Sequence, residues 1–401
     1  MADKRRENEF LEILGASVIN IKQLGKLSSY GISDTCGIRP LAWRILLKYL
    51  PAKRDSWASV LDENRKIYKQ FVNEMIIKPG LKEYCTERTD VTMDDHPLNP
   101  NPKSEWNSYF KDNDILLQID KDVRRLCPDI SFFQNASNYP CEDLVNPINR
   151  VEVLHKRVQR TALSSQNVAK NRSGIVSGLI SKKKQALEEY AVLPEGSEAH
   201  WEVVERILFI YAKLNPGTGY VQGMNEIIGP LFYTFASDPN KDWAEHAECD
   251  TFFCFTNLMS EIRDNFIKTL DHSMTGIGGT MDKVSNLVKT CDPKVWLRLD
   301  SQSIREEFYL FRWITLLLSQ EFSLPDTIRL WDSLFSDPLR FDLLVAVCGG
   351  MIILLRDQLL TGDFSSNMKM LQNFPDSVEM EVIIAKAHEI KSYVNLAYLQ
   401  K

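Results

Sequence analysis

Apolar residues recur at helical spacing along most of this chain, and strand alternation is scarce. That period limits the fold more than any single motif, because it decides which face of each segment can be buried. Trp201, Val204, Leu208, Tyr211 and Leu214 keep it from His200 to a stop at Asn215-Pro216-Gly217. Trp43, Leu46, Leu47 and Leu50 make a stripe between Pro40, which suits a first helical turn, and Pro51, which ends it. Ile115, Leu116, Ile119, Val123 and Leu126 make another, capped by Asp112 or Asp114 and ended by Pro128. Phe10, Leu11, Leu14, Val18 and Ile21 open the chain with the same spacing. Further helices are expected over 52–78, 252–266, 284–295, 306–320, from 324, over 341–360 and over 378–399. The expected fold class is all-α, with no significant sheet and no repeat of solenoid length.

Two stretches break the pattern. Between 78 and 114 the run His96-Pro97-Leu98-Asn99-Pro100-Asn101-Pro102 cannot be regular helix, because its prolines remove donors and restrict the residues before them. An ordered loop or an excursion over the surface is expected there. Residues 139–195 are rich in serine and basic groups, among them Arg157, Arg160, Lys170, Arg172 and Lys182-Lys183-Lys184. Such a composition reads as a mobile insert. Its Ser173-Gly174-Ile175-Val176-Ser177-Gly178 lacks the Gly-Lys-Ser/Thr ending of a phosphate-binding loop. The expected division is a helical extension over 1–31, a main domain over 32–345 and C-terminal helices over 346–401 packed on that domain.

Composition excludes several functions. A net charge of -6 argues against a nucleic-acid binder that works through a whole-protein basic field. No apolar run reaches membrane-spanning length, and Met1-Ala2-Asp3-Lys4-Arg5-Arg6 is not followed by a signal-type apolar segment. The eight cysteines lack framework spacing and read as reduced cytosolic thiols. His246, Cys249 and Cys254 fit no standard zinc spacing, so no metal site is expected.

The polar groups that remain are few and oddly placed. Gly219-Tyr220-Val221-Gln222-Gly223-Met224-Asn225 sets a glutamine between two glycines just before a hydrophobic helix. The glycines allow backbone shapes that other residues avoid and let another molecule come close. A well-formed interhelix turn with Gln222 satisfied locally is the plainer reading of these seven residues. At the end of the 115–126 stripe stand two arginines. Arg124 falls on the far side of the wheel, where Asp120 can pair with it as a surface ion pair. Arg125 falls near the core boundary, with Asp122 three residues back to steer it. Arg39 is either a solvated charge or a structural arginine that bonds a neighbouring segment.

Four segments stand in order: Gly37-Ile38-Arg39-Pro40 with Trp43; Ile119-x-x-Asp122-x-x-Arg125; Tyr220-x-Gln222-Gly223-Met224-Asn225; and Leu324-Pro325 with Arg329 and Trp331-Asp332. Together, over roughly 32–345, they resemble the TBC domain, the catalytic module of GTPase-activating proteins for Rab GTPases. The resemblance implies a multi-helix fold of two helical subdomains. It gives Arg125 the role of an arginine finger and Gln222 that of a glutamine finger. Asp122, Arg39, Trp43 and Asn225 match positions that shape the pocket or hold the finger loops, and Ile119, Tyr220 and Gly223 complete the motifs. The chain departs from the commoner pattern at Val221, where Cys is frequent, and at Leu126-Cys127-Pro128, where Thr-Phe-Pro is usual.

The implied activity is catalytic activation in trans, with no independent reaction. The implied partner is a GTP-bound Rab, which carries the GTP and Mg; the chain itself would hold no cofactor. The implied setting is cytoplasmic, peripheral to endomembranes or plasma membrane through the Rab, in vesicle trafficking. The alternatives are a binding module that holds a Rab without stimulating it, and a membrane-surface protein that works through its basic insert.

Overall fold

A computed structural model describes residues 2–76, 105–145, 153–159, 190–267 and 276–399. Among these the chain is helical with no strand, apart from two isolated β-bridges, Val18 with Lys53 and Ala136 with Ala199. It divides into two compact units. One comprises Met1–Val60, Thr234–Ala244 and Phe253–Lys401; the other comprises Leu61–Tyr233 and Glu245–Phe252. The boundaries read near 32 and 345 both fall inside the first unit.

In the first unit the helix Leu324–Ser336 packs against Ile21–Ser28, Ile38–Leu46, Arg340–Leu354 and Met380–Leu399. Ser323 caps its start and Pro325 occupies the first turn, where a missing N–H is no loss. Asp332, fully buried in this helix, gathers three donors. They are Arg39 Nε at 3.1 Å, Trp43 Nε1 at 2.8 Å and the backbone N–H of Ile32 at 2.8 Å. Burial raises the Asp332 carboxyl, and the Arg39 guanidinium works against that rise. Arg39 is thus the structural arginine of the two readings. The Trp43 ring meets Phe335 edge-on at 5.0 Å and Trp331 at 6.2 Å. The first and fourth sequence motifs therefore meet as one buried core.

The centre of the second unit is the helix His200–Leu214, buried along nearly its whole length. Its end follows the expected stop: Asn215 donates its backbone and side-chain N–H groups to Tyr211 O at 3.0 and 2.8 Å. Arg206 lies buried between Glu198 and Glu248, and Tyr68 donates to Glu248 at 2.7 Å. The helix Glu105–Val123 packs along this central helix.

Several expectations need correction. The second unit's helix begins at Glu105, not at a cap on Asp112 or Asp114, so the loop read over 78–114 is shorter; residues 77–104 lie outside the described ones. The insert read over 139–195 includes ordered chain. Residues 154–159 are helical, and Leu154, His155, Arg157 and Val158 are buried. Arg157 donates to Asn113 Oδ1 at 2.6 Å and lies over the Tyr109 ring at 3.6 Å. Residues 160–189 lie outside the described ones. Val18 and Ile21 are exposed, because the first helix stops at Gly15 and a second runs Ile21–Ser28. The helix read over 284–295 is two, Ile277–Cys291 and Pro293–Ser301, parted at Asp292, whose side chain caps the second. The helix read over 306–320 reduces to Leu310–Thr315, because Leu317 and Leu318 adopt φ of 50° and 63°.

Candidate functional site

The second and third sequence motifs meet in the second unit. The helix Glu105–Val123 drives Leu116, Ile119 and Val123 into the core with no exposed surface, each worth about 2 kcal/mol of burial. Its last turn tightens: Arg125 N donates to Asp122 O at 3.1 Å and Leu126 N to Val123 O at 3.3 Å. Cys127 then enters the left-handed region with φ of 45°, and Pro128 follows. This is the backbone at the Leu126-Cys127-Pro128 departure. Leu126 anchors it by packing fully buried against Gly229, where an added Cβ would stand 2.9 Å from Leu126 Cδ1. Burial pushes the Cys127 thiol up to about 12, so it is inert rather than nucleophilic.

The two arginines are disposed opposite to expectation. Arg124 is the buried one. Its Nε lies 3.0 Å from both oxygens of Asp120, with both side chains about nine-tenths buried, and its guanidinium sits 4.7 Å over the Trp201 ring. The pairing is the one read from sequence; the surface setting is not. Arg125 is 52% exposed. Its Nε donates to Lys121 O at 3.0 Å, and its Nη2 stands 3.6 Å from Asp122 Oδ1. Among the described residues, nothing takes a full hydrogen bond from its two Nη groups.

The glutamine turn is built from its glycines. Gly219 and Gly223 both have positive φ, 62° and 100°, which L side chains rarely adopt. Between them Gln222 is exposed in a turn directly before the helix Met224–Ala236. Among the described residues its carboxamide has no hydrogen-bond partner. The flanking residues are the opposite: Tyr220, Gly223, Met224 and Asn225 are buried. The plainer reading, a turn with Gln222 satisfied locally, is not what the chain forms.

Asp122 joins the two loops. Its side chain is 10% exposed and accepts from Tyr220 Oη at 2.7 Å, while its other oxygen faces Arg125. Asn225 Nδ2 donates to the Asp122 carbonyl at 3.4 Å and to Glu226 Oε1 at 2.8 Å. Burial and the adjacent carboxylate push the Tyr220 phenol upward, so it stays a donor. A charge-assisted bond of this kind contributes about 1.5–3 kcal/mol, enough to fix one loop against the other. Thus Ile119, Asp122, Arg125, Tyr220, Gln222, Gly223 and Asn225 come together, with two exposed tips on a buried frame. Arg39 and Trp43 do not belong to this cluster; they hold Asp332 in the other unit. Sequence reading missed Tyr190 and Gly229, which grip the arginine loop from outside any motif.

A helical chain with these loops belongs to the TBC family: the Rab-GTPase-TBC domain model matches residues 193–360, the span that carries the glutamine turn. Relatives extend the match to the arginine loop. The chain is 58% identical to mouse (Mus musculus) TBC1 domain family member 13, over 97% of this chain and 98% of that protein. Identity to the human (Homo sapiens) protein of the same name is 57% over the same shares. A TBC domain-containing protein of Schizosaccharomyces pombe, C1952.17c, is 36% identical over 92% of this chain and 70% of its own length. Among solved structures, the Ypt/Rab-GAP domain of Gyp1p shares the fold, with a TM-score of 0.66 and 22% identity over 98% of each chain.

Proposed function

We propose that this protein is a GTPase activator for a Rab-family GTPase and works by two fingers, Arg125 and Gln222. One observation supports this above the others: Arg125, half-exposed with no full hydrogen bond from its Nη groups among the described residues, and Gln222, exposed, stand at the ends of loops tied together through buried Asp122. A side chain kept for packing would be buried; these two are presented outward on a fixed base.

The chemistry fits their types. GTP hydrolysis on a small GTPase is slow because charge on the γ-phosphoryl and leaving oxygens is poorly stabilised and the attacking water poorly placed. The Arg125 guanidinium, always charged and planar, would enter in trans and spread two N–H groups over those oxygens. An arginine finger supplies about 10³–10⁵ in rate, roughly 4–7 kcal/mol of barrier. Gln222 carries no charge, but its carboxamide can accept from the water and donate to phosphate oxygen, so it orients the nucleophile. The GTP and Mg belong to the Rab. No nucleophile or general base is required of this chain, and its work would lie in the cytoplasm, at the membranes its Rab occupies, in vesicle trafficking.

Single-turnover phosphate release from a panel of purified GTP-loaded Rabs tests the reading. The expected result is strong acceleration of at least one Rab, lost by about three orders of magnitude in Arg125→Ala. A chain that binds a Rab tightly yet accelerates none would be a binding module instead.

A further inference from the structure

The backbone on both sides of Arg125 is held by one residue from far along the chain. Tyr190 is buried. Its N–H donates to Arg124 O at 3.2 Å, and Arg124 Nη1 returns a bond to Tyr190 O at 3.3 Å. Its hydroxyl donates to Leu126 O and lies 3.3 Å from Cys127 O. The residue before the finger and the two after it are thus fixed by the same side chain and backbone. Arg125 itself touches only Lys121 O and Asp122 among the partners described above.

These contacts fall where the helix has run out. Carbonyls past the last turn have no helical donor and need one from elsewhere. Cys127 O takes Ile130 N at 3.2 Å as well as the Tyr190 hydroxyl. Cys127 also sits at a φ of 45°, which a non-glycine residue keeps only when its surroundings over-determine it. A phenyl ring would fill the space of Tyr190 equally well, so packing does not explain the hydroxyl. Burial pushes that phenol up to about 12, which leaves it a donor throughout the physiological range.

We propose that Tyr190 is a positioning residue for the arginine finger: its hydroxyl holds the 124–127 turn in the shape that presents Arg125. The inference rests on the reading of Arg125 as the finger. It reaches beyond the motifs, since Tyr190 lies in none of them. Misplacing a catalytic group by about 1 Å can cost about a hundredfold in rate, so a slack turn should show in turnover rather than in Rab binding.

The test is Tyr190→Phe in the full chain, read in two ways. Hydrogen exchange of the free protein needs no Rab: amides over 124–130 should exchange faster, with the central helix unchanged. In single-turnover assays the maximal stimulated rate should fall about ten- to a hundredfold, while the half-saturating concentration stays within about twofold. A double-mutant cycle separates positioning from general damage. Tyr190→Phe should add nothing to Arg125→Ala, since its effect passes through that side chain, but should multiply with Gln222→Ala. Unchanged exchange over 124–130 would overturn the proposal, as would an equal slowing by Tyr190→Phe with Arg125 present or absent. No stimulation of any Rab by the wild-type chain would overturn the activity reading instead, with the clamp still decided by exchange.

Discussion

Adjacent arginines at the end of one helix do different work because of what covers them. Arg124 is paired with Asp120 and capped by the Trp201 ring; Arg125 points to solvent beside Asp122. Truncating one partner of a buried pair leaves the other charge unpaired, which typically costs 3–5 kcal/mol. Arg124→Ala should therefore lower stability by about 3 kcal/mol, seen as a drop in Tm or in the denaturant midpoint. Arg125→Ala should leave both nearly unchanged while removing activity. If Arg124→Ala keeps its Tm and loses the stimulation, the two arginines have been assigned the wrong way round. Sequence placed Asp120 beside Arg124 correctly, because an i, i+4 pair needs only helical geometry. It could not place Trp201, which comes from a helix some eighty positions on, and so it took a buried pair for a surface one.

At the scale of the element, what was legible is what a single helix determines for itself. The helix His200–Leu214 was read to its last residue, because its apolar period is dense and Asn215-Pro216-Gly217 is a strong stop. The start at Glu105 was not, since asparagine, aspartate and lysine interrupt the apolar pattern there, and Tyr109 and Asn113 meet Arg157 from a distant part of the chain. In the sequence Arg157 reads as part of a basic insert because its partners, Asn113 and Tyr109, lie more than forty residues away. Gly229 was silent for the same reason: only the fold shows Leu126 against it. Gly229→Ala should displace Leu126, which is fully buried, and so slacken the arginine loop. The expected cost is about 1–3 kcal/mol in stability, with a fall in stimulated rate beyond that of a surface Gly→Ala control.

The central helix also carries a pH dependence. His200 stacks on Phe132 at 4.1 Å, and among the described residues its buried Nδ1 has no hydrogen-bond partner. Burial lowers its imidazole from 6.5 to about 4. The folded state therefore holds the proton less tightly than the unfolded chain. Its contribution is complete above pH 6.5 and is lost as pH falls through the window down to about 4, by up to about 3 kcal/mol. His200→Phe keeps the stack and removes the titration, so its Tm should fall less than that of the wild type between pH 7.5 and pH 5. An equal fall in both would show that His200 is not the group responsible.

Across the whole molecule, the four motifs sort into two sets. The first and fourth form the Arg39–Trp43–Asp332 core of one unit, and the second and third form the finger loops of the other. The resemblance names Arg39 and Trp43 as supports; within their own unit they support the core around Asp332. Trp43→Ala should accordingly destabilise by about 3–5 kcal/mol, with activity lost in proportion to unfolding rather than at the chemical step. The basic stretch tells the opposite story. Residues 160–189 lie outside the described ones and are rich in serine and basic groups; replacing them by a short glycine-serine linker should preserve folding and activity. The linker must stop before Tyr190, because that residue belongs to the arginine loop. A deletion through 190 that keeps full stimulation would count against the clamp.

The most direct test of the two-finger account is phosphate release from a stimulated Rab and from the same Rab with its own catalytic glutamine changed to alanine. Each would be paired with wild-type and Gln222→Ala activator. If Gln222 orients the water, the glutamine-mutant Rab is still stimulated by the wild-type chain, and Gln222→Ala slows hydrolysis on both Rabs. An activator that works by Arg125 alone depends on the GTPase to place the water. Full stimulation of wild-type Rab by Gln222→Ala, with none of the mutant Rab by the wild-type chain, would contradict the account.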